Sequence, residues 1–131
     1  MSKRDFLSLL DFSKAELGSL IERAKTFREM HARGDVYQPL VGRTAAVIMQ
    51  LSSTRTRLAF EAGLAQLGAH AVFLSTKDSQ MGRGEPIEDL ARVLSEMVDI
   101  VMIRTLEQSD MQTLADYASI PVINAMSSLL H

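Results

Sequence analysis

Six consecutive residues, Ser52 to Arg57, combine hydroxyl and guanidinium side chains in one short stretch. They follow an apolar run at residues 45–49 and precede apolar residues at helical spacing, so a strand is expected to turn here into a helix. The first N–H groups of a helix lack intrahelical partners and carry the positive end of its dipole. With two arginines added, the turn predicts a site for a phosphate or a carboxylate. The alternative is an ordinary helix N-cap followed by two surface arginines.

The composition indicates one domain and excludes several classes of function. The chain has 131 residues, 47% hydrophobic and 23% charged, with a formal net charge of −2. This balance gives no basic face for nucleic acid, and no run approaches the roughly 18 apolar residues of a membrane span. There are no cysteines, and His31 and His70 have no companion ligands, so no metal site is expected. Without a signal-peptide core at the N-terminus, we expect a cytoplasmic protein.

Strand and helix patterns alternate along the chain. A capping box at Ser13 and Glu16 predicts an amphipathic helix that ends near Gly34. Strands are predicted at 44–50, 70–75, 99–104 and 120–124, and further helices at 54–67, from Pro86 to Met97, and at 110–118. This order predicts an α/β fold with a four-stranded parallel sheet and helices on both faces, flavodoxin-like and doubly wound, in one domain over residues 1–131.

The chemistry-bearing residues follow the carboxyl ends of the predicted strands, where open parallel sheets bind ligands. They are the turn Ser52 to Arg57, Gln80 and Arg83 after the second strand, Arg104 at the end of the third, and Asn124 and His131 after the fourth. No carboxylate stands at the tip of the first, third or fourth strand, so an anionic small molecule is expected. Taken singly, Arg104 could simply end a strand in water, the Gln80 loop could be solvated, and His131 could be frayed.

Two motifs resemble one enzyme family. Ser53-Thr54-Arg55-Thr56-Arg57 with Leu58-Ala59-Phe60-Glu61 resembles the carbamoyl-phosphate motif of the aspartate and ornithine carbamoyltransferases. Asp78-Ser79-Gln80-Met81-Gly82-Arg83-Gly84-Glu85-Pro86 resembles the ornithine enzyme, since the aspartate enzyme usually carries a lysine-containing loop there. Met102-Ile103-Arg104 and Pro121-Val122-Ile123-Asn124 also match. The resemblance covers nearly the whole chain and implies the N-terminal half of such an enzyme, with the ornithine-binding domain absent.

The resemblance also implies a role for each matching residue. Carbamoyl phosphate would be bound by Ser53, Thr54, Arg55, Thr56, Gln80, Arg104 and His131. Arg104 and His131 would be catalytic, contacting with Thr56 the carbonyl oxygen on which negative charge develops. Gln80 resembles a residue that the family supplies from a neighbouring subunit of a trimer. Ornithine would attack the carbamoyl carbon and phosphate would leave, with no metal or organic cofactor.

Several positions depart from the family pattern. Met49-Gln50-Leu51 stands where Phe-Glu-Lys is common, Leu90 replaces a threonine, Ala125 a glycine and Ser128 an aspartate. If position 125 needs a positive φ, the loop after the fourth strand would shift. Three functions therefore remain: a carbamoyl-phosphate-binding domain inactive alone, a transferase completed by another chain, or a truncated or engineered α/β scaffold.

Overall fold

The computed structural model describes residues 3–75, 84–105 and 107–130. A 3-10 turn at Leu9–Asp11 precedes four helices and four strands. The helices are α1 (Lys14–Ala32), α2 (Thr54–Gln66), α3 (Ile87–Met97) and α4 (Gln108–Tyr117). The strands are β1 (Thr44–Met49), β2 (His70–Ser75), β3 (Ile100–Arg104) and β4 (Val122–Asn124). The predicted elements are confirmed, with ends displaced by at most two residues.

The four strands form one parallel sheet in the order β2-β1-β3-β4. From β1 the chain crosses to one side to form β2, then returns past β1 to form β3 and β4. The connection therefore reverses direction between β1 and β3, which makes their carboxyl ends the topological switch point of the sheet. The predicted parallel α/β architecture is confirmed, and its strand order is that of the flavodoxin-like class.

Alternate residues of β1 pack on opposite faces of the sheet, as the two-residue period of a strand requires. Ala46 and Ile48 join the core formed with α3 and α4. Val47 and Met49 join the core formed with α2. All four side chains are buried, so β1 is covered on both faces and its nearly continuous apolar sequence follows from that position.

The first helix forms where the capping box predicts it, but its apolar stripe is not buried. The Ser13 hydroxyl accepts from Glu16 N, and the Glu16 carboxylate accepts from Ser13 N, both at 3.1 Å. No residue of α1 is buried, and Leu20 and Ile21 are 41% and 59% exposed. The capping box and the helical period therefore set this helix locally, although none of its residues is buried.

Two local features differ from the sequence-based expectation. Pro86 is the N-cap of α3 and does not lie within its first turn. The segment around Phe6 adds to the edge of the sheet: Phe6 N donates to Val122 O at 2.9 Å, and Asn124 N donates to Phe6 O at 2.7 Å. Among the described segments, no helix has the length and apolarity needed to cross a membrane.

Candidate functional site

The turn after β1 is organised by Ser53, the N-cap of α2. Its Oγ accepts from Thr56 N at 3.3 Å and donates to Thr56 Oγ1 at 2.9 Å. The first backbone bond of the helix runs from Arg57 N to Ser53 O, at 3.1 Å. The amides of Thr54 and Arg55 come before that bond, so they stand at the positive end of α2 as donors for an anion.

Arg104 reaches this turn from the end of β3. Its Nη1 donates to Thr56 Oγ1 at 3.2 Å across the switch point between β1 and β3. Its Nε is buried and has no hydrogen-bond partner among the described residues. A buried donor without a partner costs free energy, and an anion at the turn would satisfy it. Within the described segments a hydroxyl and no carboxylate accepts from the guanidinium, so its positive charge stays available to a ligand.

The two arginines of the turn differ in their surroundings. Arg57 forms an ion pair with Glu61, Nε to Oε2 at 2.7 Å, and its guanidinium lies 3.5 Å from the ring centroid of Phe73. The side chain of Arg55 is exposed and forms no ion pair within the described part of the chain. Arg55 is therefore the cation of the turn that is free to meet an anion, while Arg57 links α2 to β2.

A cleft opens beside the turn, towards β2. The residues that line it are Met49, Gln50, Ser52, Ser53, Thr54, Arg57, Phe73 and Ser75. Arg57 was predicted as one of the two cations of the turn, but its stacking on Phe73 was not predicted, because that contact depends on the pairing of β1 with β2. The motif spacing places Arg57 near the turn but does not give its partner.

Four further residues were predicted to lie near this turn. Gln80, Arg83 and His131 lie outside the described residues. Asn124 lies at the expected edge, but its amide serves the backbone: Nδ2 donates to Leu7 O at 2.8 Å and Oδ1 accepts from Met126 N at 2.6 Å. The side chain expected to supply an amide to the site therefore holds the loop after β4 in place.

The loop after β4 also differs from expectation in its backbone. Met126, and not Ala125, has a positive φ, +127°, the only such non-glycine residue in the described segments. Ala125 N donates to Ile103 O at 2.8 Å and so continues the parallel pairing of β3 with β4. The substituted glycine position therefore keeps an ordinary conformation, and the strain lies one residue later.

Two further residues at this edge were not predicted. Thr105 is fully buried, and its hydroxyl donates to the side-chain oxygen of Gln50. A lone threonine after an apolar strand gives no sequence signal for such a contact, because its partner lies 55 residues away.

The described residues contain no cluster of three or more histidine, cysteine or carboxylate side chains suited to a metal.

Comparison with known proteins gives one consistent family. Residues 4–131 match the family model described as aspartate/ornithine carbamoyltransferase, carbamoyl-P binding domain. The chain is 58% identical over its full length to the ornithine carbamoyltransferase of Psychrobacter sp. (strain PRwf-1), and spans 43% of that protein. Among solved structures, the ornithine carbamoyltransferase from Pyrococcus furiosus is 44% identical with a TM-score of 0.92, over 96% of this chain and 40% of that one. The enzyme from Burkholderia thailandensis E264 is 50% identical with a TM-score of 0.90, over 95% of this chain and 43% of that one.

Proposed function

Since the chain belongs to the aspartate/ornithine carbamoyltransferase family and matches its carbamoyl-phosphate-binding domain, we propose that it is the carbamoyl-phosphate-binding part of an ornithine carbamoyltransferase. One observation carries the proposal: Arg104 donates to Thr56 at the amino end of α2, with its Nε unpaired. Cation, hydroxyl and helix amides then lie together at one turn, an arrangement that suits an anion with several oxygens. The ornithine enzyme is preferred to the aspartate enzyme because the similar relatives and structures are ornithine carbamoyltransferases.

In this proposal the phosphate group binds at the turn. The amides of Thr54 and Arg55 and the hydroxyl of Ser53 donate to its oxygens, and the Arg55 side chain supplies a positive charge. The exposure of Arg55 supports its role, since it gives up no intramolecular ion pair on binding. Charge-assisted hydrogen bonds of this kind are roughly twice as strong as neutral ones.

The carbamoyl carbonyl oxygen lies towards Arg104 and Thr56. When the amine of ornithine attacks the carbamoyl carbon, negative charge develops on that oxygen, and donors fixed in advance stabilise it. Phosphate then leaves as the carbamoyl group passes to the amine. His131 would join Arg104 at the oxygen, and Gln80 of a neighbouring subunit would complete the site. These two roles rest on the motif resemblance.

The reaction also needs a site for ornithine. This chain spans about two fifths of the length of its ornithine carbamoyltransferase relatives. In this proposal the ornithine site belongs to the part of those enzymes that this chain does not match. The complete protein would form citrulline in arginine biosynthesis, in the cytoplasm and as a trimer. Closing a second wall over the anion would exclude water and strengthen the charge interactions at the reacting carbon.

The first experiment is a calorimetric titration of the chain with inorganic phosphate and with carbamoyl phosphate, with its mass measured by light scattering in the same buffer. Saturable binding of both ligands is expected. Arg104→Met should abolish the contribution of the carbonyl oxygen to the affinity for carbamoyl phosphate. At 100 Kd of ligand the folded state should gain roughly 2.7 kcal/mol. A folded protein that binds neither anion would contradict the proposal and leave the scaffold interpretation. The chain alone should form no citrulline.

A further inference from the structure

Three of the segments that carry candidate site residues meet at one buried residue, Thr105. Its hydroxyl donates to Gln50 Oε1 immediately after β1, and its N–H donates to Met126 O at 3.0 Å in the loop after β4. The preceding residue is Arg104. We propose that Thr105 is a positioning residue, which fixes Arg104 relative to the anion-binding turn; the inference rests on the proposed function.

Side chains alternate between the two faces of the sheet along β3, so Arg104 and Thr105 lie on opposite faces. Met102 packs on the α2 side of the sheet and Ile103 on the α3–α4 side. Continuing the two-residue period puts Arg104 on the α2 side, where it reaches Thr56, and puts Thr105 on the opposite side. One residue faces the ligand while the next is anchored in the interior.

The bond to Gln50 fixes the separation between the two strand ends. Gln50 N donates to Arg104 O at 2.8 Å, and the Thr105 hydroxyl donates to the side chain of the same glutamine. Gln50 is followed within three residues by Ser53, the N-cap that bonds to Thr56. The distance between Arg104 and Thr56 is therefore set twice, directly and through this pair of bonds.

The bond to Met126 extends the same anchor to the loop after β4. Met126 holds a φ of +127°, and its carbonyl accepts from Thr105 N. Strained residues persist where their surroundings over-determine them, and such residues cluster at functional sites. A fully buried hydroxyl would cost free energy if unpaired, and a satisfied buried network specifies one geometry better than apolar packing does.

The test compares three variants of the folded chain for binding of inorganic phosphate. Thr105→Val keeps the shape and the N–H but removes the hydroxyl, and Thr105→Ser keeps the hydroxyl. Val101→Ala is the matched control, because Val101 is buried in β3, the strand that leads to Thr105, and lies away from the turn. We expect Thr105→Val to weaken binding about tenfold, corresponding to about 1.4 kcal/mol, with Thr105→Ser and Val101→Ala within about threefold of the parent.

A purely structural threonine gives a different pattern. Thr105→Val would then lose stability, as Val101→Ala does, with phosphate affinity unchanged in the folded protein, and that result would overturn the proposal. Equal weakening by Thr105→Ser would also overturn it, since the hydroxyl would not be the active group. Should Thr105→Val not fold, Gln50→Leu removes the same bond, and unchanged affinity in that variant has the same meaning.

The route of the effect is tested by combining Thr105→Val with Gln50→Leu. If Thr105 acts through Gln50, the double variant should bind phosphate no more weakly than the single variant with the lower affinity. Both substitutions remove the same hydrogen bond, so its loss counts only once. Fully additive losses would contradict this route. If the parent chain itself binds no phosphate, the proposed function fails first and this inference falls with it, so the two failures are distinguishable.

Discussion

At the scale of single residues, Arg55 and Arg57 stand two positions apart and have different partners. Arg57 is held by Glu61 and by the ring of Phe73, whereas Arg55 is exposed. The sequence motif treats both as cations of one turn. Only the tertiary pairing of β1 with β2 brings Phe73 beside Arg57, so the difference between the two cannot be found from their spacing.

Replacing Arg55 with alanine should weaken phosphate binding by about 1.5–3 kcal/mol, the range for a hydrogen bond to a charged group. The measurement is calorimetric titration with phosphate. Arg28→Ala is the matched control, because Arg28 is an exposed arginine of α1, outside the turn. Equal affinity of Arg55→Ala and the parent chain would refute the role assigned to this side chain.

Gly68, at the turn between α2 and β2, requires the absence of a side chain. Its φ is +92°, and a Cβ there would lie 2.9 Å from both Gln38 Cβ and Val41 Cγ2. Gly68→Ala should therefore lower the free energy of unfolding by about 2–4 kcal/mol, from backbone strain and from overpacking together. Urea denaturation measures the loss.

Gly34→Ala separates the two causes of that loss. Gly34 has a φ of +79°, but no atom lies within 4 Å of the position that its Cβ would take. Its replacement should cost only the backbone strain, about 1–2 kcal/mol. Equal losses for the two variants would show that the contacts with Gln38 and Val41 contribute nothing.

At the scale of elements, the start of α1 carries the clearest electrostatic signature. Glu16 accepts hydrogen bonds from the Arg4 guanidinium and from Ser13 N, which lower its pKa from 4.5 to about 2, the Arg4 bond being the larger cause. Because the folded pKa lies below the unfolded one, the stabilisation is present above about pH 4.5 and is lost as pH falls towards 2. The side chains are exposed to water, so salt should weaken the effect.

NMR titration of the Glu16 carboxyl group checks this assignment. The midpoint should lie near pH 2 in the parent chain, and Arg4→Met should move it back towards 4.5. Replacing Lys25, which pairs with Glu22 on the same helix, serves as the control and should leave the Glu16 midpoint in place. A midpoint near 4.5 in the parent chain would show that Arg4 does not hold the carboxylate.

The elements themselves were predictable because local signals set them. Ser13 and Ser53 start α1 and α2 where N-cap residues are favoured, and the apolar run of β1 matches a strand covered on both faces. The parallel order then brings Thr56 and Arg104 to one edge, as expected of strand ends. The hydrogen bonds of Thr105 were not predictable, because their partners lie after β1 and after β4.

At the scale of the whole molecule, the hydrophobic core surrounds the sheet, and the helices differ in how many buried residues they contribute to it. Met111 and Leu114 of α4 are fully buried against β1 and β3, and Leu64 of α2 is buried on the other face. The apolar stripe of α1 predicted that this helix would also contribute buried residues. Helical spacing in a sequence reports which residues lie on one side of a helix, but it cannot report whether neighbouring atoms cover that side.

The exposure of α1 has a consequence for the way the native chain fluctuates. A helix without buried residues loses little when it unwinds, so α1 should open locally while the sheet stays intact. Its amides should then exchange with deuterated solvent far faster than those of β1, whose exchange should require global unfolding, with α4 resembling β1. Equal protection of α1 and β1, measured by exchange-detected NMR, would contradict this view. Because Phe6 and Leu40 bond to the body of the protein on either side of α1, the opened segment would remain a closed loop and could re-form without the rest refolding.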